Sequence, residues 1–171
     1  MSSGRVVVTV GIEFYGQQPA RSILEKADLE CIHRPGSPGW PDAETIEYLS
    51  GMQGILAGAE FLNGSTMDHV PEMKVVARNG VGFDRVDLGY CTDRGIVVTN
   101  TPGSMADAVA DLTFALLLSV VRHVVAGNAN VKSGSSYDVP MGEDLASMTL
   151  GLVGCGHIGA ETVQRAKAFK M

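Results

Sequence analysis

The chain has 171 residues, 45% hydrophobic and 19% charged, which is enough to bury a core and is ordinary for a globular protein. A formal net charge of -6 and a pI near 5.1 exclude a broad basic surface for nucleic acid or anionic membrane, so small molecules or other protein chains are the expected partners. Cys31, Cys91 and Cys155 are odd in number and far apart, with no Cys-x-x-Cys pair or zinc-type Cys/His spacing, so we expect a reducing compartment and no metal.

The segment from Met1 to Ile12 lacks the long apolar core and small-residue cleavage site of a secretory signal, so the expected location is cytoplasmic. From Arg5 onward, short apolar runs alternate with segments of helical character, the pattern of a parallel sheet with crossover helices. The predicted strands are Val6 to Val10, Leu29 to His33, Gly54 to Ala57, Lys74 to Arg78 and Ile96 to Thr99. Helices are predicted between them at Ala20 to Ala27, Asp42 to Leu49, Ser65 to Val70 and Arg85 to Arg94, with Pro35, Gly36, Pro38 and Pro71 as breakers in the joins. Ser104 and Asp107 fit a capping box, so a long helix should start near Met105. Its body, Ala108 to Val125, is apolar around most of its circumference and must pack against two layers or a second subunit. Within it, Leu112 to Val121 is about half the ~20 residues a membrane span needs, and it reads as a buried helix. Gly127 to Ser147 has no clear period and reads as a connection with a further helical turn.

A new unit then opens with a strand, Leu150 to Val153, and runs through Gly154-Cys155-Gly156-His157-Ile158-Gly159 into a helix over Ala160 to Phe169. This is G-x-G-x-x-G in the strand-turn-helix context that dinucleotide binding requires. Gly154 permits the tight turn, Gly156 lets backbone approach a pyrophosphate, and Gly159 lets helix and strand pack closely. The phosphates would sit at the helix amino end, where free amides and the macrodipole favour anions. The plain alternative is an ordinary tight turn between strand and helix. His157 is expected to lend its backbone and an outward side chain rather than act as a base.

The second constellation is Arg78-Asn79-Gly80-Val81-Gly82-Phe83-Asp84, at the carboxyl end of a predicted strand, where open α/β sheets place ligands. Its glycines leave amides free to converge on an anion; the alternative is a structural turn with Asp84 capping the next helix.

The run from Lys74 to Leu88, then Gly95 to Gly103, Ala110 to Thr113, and Thr149 to Met171 resembles the D-2-hydroxyacid dehydrogenases, phosphoglycerate dehydrogenase among them. The resemblance covers most of the chain after about Leu49; glycine would be more typical where Lys170 stands. It implies an α/β fold: a flavodoxin-like parallel-sheet substrate domain over residues 1–100, then a long interdomain helix and the first β-α unit of a Rossmann domain over 101–171. It implies that backbone at Asn79, Gly80, Val81 and Gly82 holds the substrate carboxylate, and that Val81 and Thr113 touch the nicotinamide. Gly154, Gly156, His157, Ile158 and Gly159 would hold the pyrophosphate. The implied cofactor is NAD, with NADP open because the acidic residue that discriminates them lies about 20 positions past the motif. A homodimer through helix 105–126 is also implied.

The family's catalytic arginine, glutamate and histidine lie later in the Rossmann domain and have no counterpart in this chain, so it is expected to hold no catalytic residue of its own. His33, His69, His123 and His157 do not match the missing histidine. The implied activity is hydride transfer between a nicotinamide cofactor and a D-2-hydroxy acid or its 2-keto acid, performed by a longer protein. Two other readings stand beside it: a non-catalytic fragment or dimerising subunit, and a formate or phosphite dehydrogenase-like enzyme. Leu150 to Val153 would leave both edges unpaired, so Val6 to Asn100 should fold as a domain while Ser147 to Met171 should be poorly protected.

Overall fold

The computed structural model describes residues 4–11, 20–36, 42–134 and 139–171. The chain divides into two compact units, Met1–Pro102 and Gly103–Met171. The predicted breaker Pro38 lies outside the described residues.

In the first unit, β1 (Gly4–Val8), α1 (Ala20–Lys26), β2 (Leu29–His33), α2 (Asp42–Leu49), β3 (Gly54–Ala57), α3 (Gly64–Met67), β4 (Val75–Arg78), α4 (Leu88–Asp93) and β5 (Val97–Thr99) alternate along the chain. The five strands form one parallel sheet in the order β2-β1-β3-β4-β5. That is the flavodoxin-like order. Burial on both faces explains the apolar character of β1 and β3, inside the sheet. On one face Val7, Ile55 and Val76 pack with Leu49, Met52, Leu62, Met67, Val70, Cys91 and Ile96. On the other, Val8 and Val10 pack with Leu24 and Leu56. Beside that second cluster lies an apolar hollow of about 460 Å³ lined by residues including Val6, Leu24, Leu56, Val75 and Ala77.

Strand β1 begins two residues earlier than predicted and releases Thr9 and Val10, because Gly4 and Arg5 pair with Leu29 and Glu30 and the Arg5 guanidinium meets the Glu30 carboxylate at 3.2 Å. The helix predicted from Arg85 starts only at Leu88. A turn closed by the Val86 amide on the Phe83 carbonyl occupies the intervening residues, and Leu62 and Val86 bridge in parallel. Asp87, not Asp84, is therefore the cap, accepting from the Tyr90 amide at 2.9 Å. Helix α3 is likewise shorter than predicted and is capped by Asn63, whose side chain accepts from the Thr66 amide at 2.8 Å.

The second unit holds α5 (Ala106–Val121), α6 (Val124–Ser133), a 3-10 turn at Leu145–Ser147 and α7 (His157–Ala168). Here three expectations are corrected. Met105, not Ser104, is the cap residue, and it makes no side-chain cap hydrogen bond. The continuous helix over 105–126 is broken at Arg122 and His123, where His123 adopts a left-handed φ of 53°, and α5 and α6 meet at a 60° bend. Helix α6 then extends into the stretch predicted as a connection. Finally, no strand forms at Leu150 to Val153, since among the described residues nothing pairs with it. Leu150 packs with Phe114, Leu145 and Ala166 instead, while Val153 is fully exposed.

Helix α7 is held on α5 by Arg165, whose guanidinium reaches Asp111 at 2.6 Å, Asp107 at 3.2 Å and Glu161 at 3.1 Å. The Phe114 and Phe169 rings stack with centroids 5.2 Å apart. No single helix among the described residues is long and apolar enough to cross a membrane.

Candidate functional site

In the first unit the candidate site follows β4. The pairing of Ala57 with Arg78 carries on past the strand ends, with the Asn79 amide donating to the Ala57 carbonyl at 2.9 Å. The Gly80 amide then donates to the Arg78 carbonyl at 3.0 Å. The turn is anchored from β5: the Thr101 amide donates to the Gly80 carbonyl at 3.1 Å and the Asn100 side-chain amide to the Val81 carbonyl at 2.8 Å. Of the four residues singled out, Asn79 and Gly80 thus spend their amides on the fold. The amides of Val81 and Gly82 make no hydrogen bond among the described residues, and both residues are exposed. Two adjacent free amides on a rigid turn form an anion cradle.

Arg78 was not among the expected site residues. Its half-buried side chain folds back so that Nη1 donates to the carbonyls of Ala57, Gly58 and Asn79, and the guanidinium stacks beside Gly80. A fixed positive charge therefore stands next to the two free amides. The signal was present in the sequence, as an arginine ending an apolar strand just before the glycines. Arg85 is fixed similarly, donating to the Ala59 carbonyl with its guanidinium 4.6 Å over the Phe61 ring.

In the second unit the glycine-rich turn leads into α7. Gly154 has a φ of +90°, a conformation that favours glycine. Gly156 is the residue before the first helical turn and offers no side-chain cap, so the first amides of this 12-residue helix face outward without a side-chain partner. A Cβ on Gly159 would lie 2.8 Å from the Gly154 carbonyl oxygen, whereas one on Gly156 would meet nothing within 4 Å. Gly159 is thus needed for the fold of the turn, and Gly156 keeps its outer side open. His157 and Ile158 are exposed, with the His157 ring leaning against Gly103. Thr113, on α5, donates its hydroxyl to the Val109 carbonyl at 2.8 Å and is exposed.

Among the described residues no ion pair joins His69, His123 or His157 to a carboxylate. His69 is bonded to the Ser65 carbonyl and His33 to the Val10 carbonyl, both at 2.9 Å. Among the described residues no group of His, Cys, Asp and Glu is placed to hold a metal ion.

Residues 6–169 match the sequence model described as D-isomer specific 2-hydroxyacid dehydrogenase, catalytic domain. The chain belongs to this family. A glyoxylate reductase of Thermofilum pendens is 34% identical over 161 residues, which is 89% of this chain and 47% of that protein. Among solved structures, the TT0316 protein of Thermus thermophilus superposes with a TM-score of 0.86 at 39% identity, covering 98% of this chain and 54% of that one. An NAD+-bound 3-phosphoglycerate dehydrogenase of Entamoeba histolytica superposes with a TM-score of 0.78 at 25% identity, covering 99% and 52%. This dehydrogenase-family chain therefore spans about half the length of the relatives it matches.

Proposed function

We propose that the chain is the substrate-domain and cofactor-entry part of a nicotinamide-dependent D-2-hydroxyacid dehydrogenase. The observation that carries this reading is the turn at Gly154–Gly159, with its left-handed first glycine, open second glycine and tightly packed third, in front of uncapped amides. Residues 1–100 are the substrate domain and 101–171 begin the cofactor domain. When bound, NAD or NADP supplies the hydride chemistry. The chain's own residues position it: Gly154, Gly156, His157, Ile158 and Gly159 take the pyrophosphate, and Val81 and Thr113 face the nicotinamide. The substrate is a small 2-hydroxy or 2-keto acid, its carboxylate held on the turn formed by Asn79, Gly80, Val81 and Gly82, with the free amides of Val81 and Gly82 and the Arg78 charge as the direct contacts. No residue of this chain exchanges the proton, and the 171-residue chain alone does not turn over. The reading places the protein in the cytoplasm.

Pairing of two copies through α5 is part of the reading. It is supported by Leu112, Leu116 and Val120, which recur at helical spacing on one stripe and are 59%, 59% and 70% exposed. The test of the function is an assay of the 171-residue chain with NADH and glyoxylate, hydroxypyruvate or phosphohydroxypyruvate. Saturable NADH binding without turnover is expected; turnover would place acid-base groups among residues assigned none.

A further inference from the structure

Helices α5 and α7 lie side by side and run in the same direction, because three contacts follow one another in the same order along both. The His157 ring leans on Gly103 just before α5, Arg165 reaches Asp107 and Asp111, and the Phe114 and Phe169 rings stack 5.2 Å apart. The glycine-rich turn therefore stands beside the start of α5. Thr113 lies about 10 Å further along that helix, at about 1.5 Å per residue from Ala106. Since no strand forms at Leu150 to Val153, the seat of the turn depends on how α7 is fixed on α5.

Apolar packing alone does not set that register. Phe114, Leu145, Leu150 and Ala166 join the helices, but apolar contact is non-directional. Arg165 supplies direction. Its Nε donates to Asp111 Oδ1 at 2.7 Å, and its Nη2 to Asp107 Oδ1 at 3.2 Å and the Asp107 carbonyl at 3.3 Å. Its Nη1 donates to the carbonyl and the carboxylate of Glu161, both at 3.1 Å. Nε, Nη1 and Nη2 are thus all engaged, on two helices at once, with the side chain only 22% exposed. A planar fork held in this way fixes geometry as well as attracting its partners. Arg165 also neutralises a joint that repels without it, since no other cation pairs with Asp107, Asp111 or Glu161 among the described residues.

We propose that Arg165 is a positioning residue for the cofactor: by locking α7 to α5 in one register, it sets the glycine-rich turn against Thr113. The inference rests on the proposed reading of that turn as the pyrophosphate site and of Thr113 as a nicotinamide contact. A ligand that touches both helices depends on their register, whereas one that touches the turn alone does not. NADH spans both. ADP carries a diphosphate for the turn and no nicotinamide for Thr113.

The test is a nuclear magnetic resonance titration of the isotope-labelled 171-residue chain, and of its Arg165→Met variant, with NADH and with ADP. In the unsubstituted chain both ligands should shift the amides of Gly154 to Gly159, and NADH alone should also shift Thr113. Arg165→Met keeps the apolar stem and removes the charge. It should bind NADH about tenfold more weakly and lose the Thr113 shift, with ADP affinity changed by less than about twofold. Arg165→Lys, which keeps the charge without the fork, should recover only part of the NADH affinity. Equal weakening of NADH and ADP assigns Arg165 to the fold alone and overturns the proposal, as does unchanged NADH binding by Arg165→Met or a Thr113 amide that NADH never shifts. If neither ligand shifts Gly154 to Gly159 in the unsubstituted chain, the cofactor reading fails and this inference with it. Should Arg165→Met not fold, Asp111→Asn carries the same comparison: a smaller loss of NADH over ADP is expected, and an unchanged ratio overturns the proposal.

Discussion

Gly159→Ala is the substitution that most directly probes the glycine-rich turn. The added Cβ would stand 2.8 Å from the Gly154 carbonyl oxygen, a backbone atom that cannot swing aside as a flexible side chain would. Helix and turn must separate by about half an ångström, an overpacking that costs about 1 to 3 kcal/mol. Amide exchange reads such a local opening, so the Ala160 amide, bonded to the Gly156 carbonyl at 2.9 Å, and the amides of the turn after it should exchange roughly fivefold to more than a hundredfold faster than in the unsubstituted chain. Gly151→Ala is the control, since its Cβ would meet nothing within 4 Å and its φ lies outside the left-handed region. Unchanged exchange at α7 in Gly159→Ala, or an equal acceleration in Gly151→Ala, would refute the close approach on which the glycine-rich turn is built.

Helix α7 ends in a Schellman motif in which the Lys170 amide bonds the Lys167 carbonyl at 3.0 Å and the Met171 amide the Ala166 carbonyl at 3.1 Å, with Lys170 left-handed at φ 62°. Lys170→Gly should therefore stabilise the helix end by about 1 kcal/mol, seen as slower α7 exchange, whereas Lys170→Ala should gain nothing; equal effects would contradict the left-handed assignment. The Tyr48 phenol is raised above its ordinary value of 10.0, by burial first and by the Glu60 charge second. A group whose folded value lies higher contributes stability in full below the unfolded value and loses it as pH rises, so urea midpoints should fall above pH 10.0, and less steeply in Tyr48→Phe. Cys155 is exposed, while the Cys91 thiol is buried and raised by that burial and then by the Asp87 charge. A thiol reagent followed by peptide mass spectrometry should label Cys155 rapidly and Cys91 only after denaturant; comparable labelling rates would refute the burial.

β1 and β3 were legible because they are buried on two faces and read as short apolar runs, and β2 and β3 fall where the pattern put them. Element ends were less legible because competing signals lie a few residues apart. Asp84 and Asp87 both suit a helix cap, and only the bridge from Leu62 to Val86, which occupies the residues between, selects the second. The break at His123 left no mark in composition, since no glycine or proline signals a left-handed residue there. In the candidate site, the glycines announced themselves through their spacing. The hydrogen bonds that occupy the Asn79 and Gly80 amides and free those of Val81 and Gly82 depend on strand register. The burial of Glu60 is hidden for the same reason: a lone glutamate reads as surface until the fold sets Thr9, Gly36 and Gly58 against it.

The most direct test of the account is an NADH titration of the labelled 171-residue chain, followed amide by amide. The account predicts shifts centred on Gly154, Gly156, His157, Ile158 and Gly159, sharply reduced by Gly156→Ala, whose methyl group is accommodated by the free chain but fills the side a pyrophosphate must approach. Shifts centred elsewhere, or undiminished binding by Gly156→Ala, would contradict the assignment of this turn as the nicotinamide cofactor site.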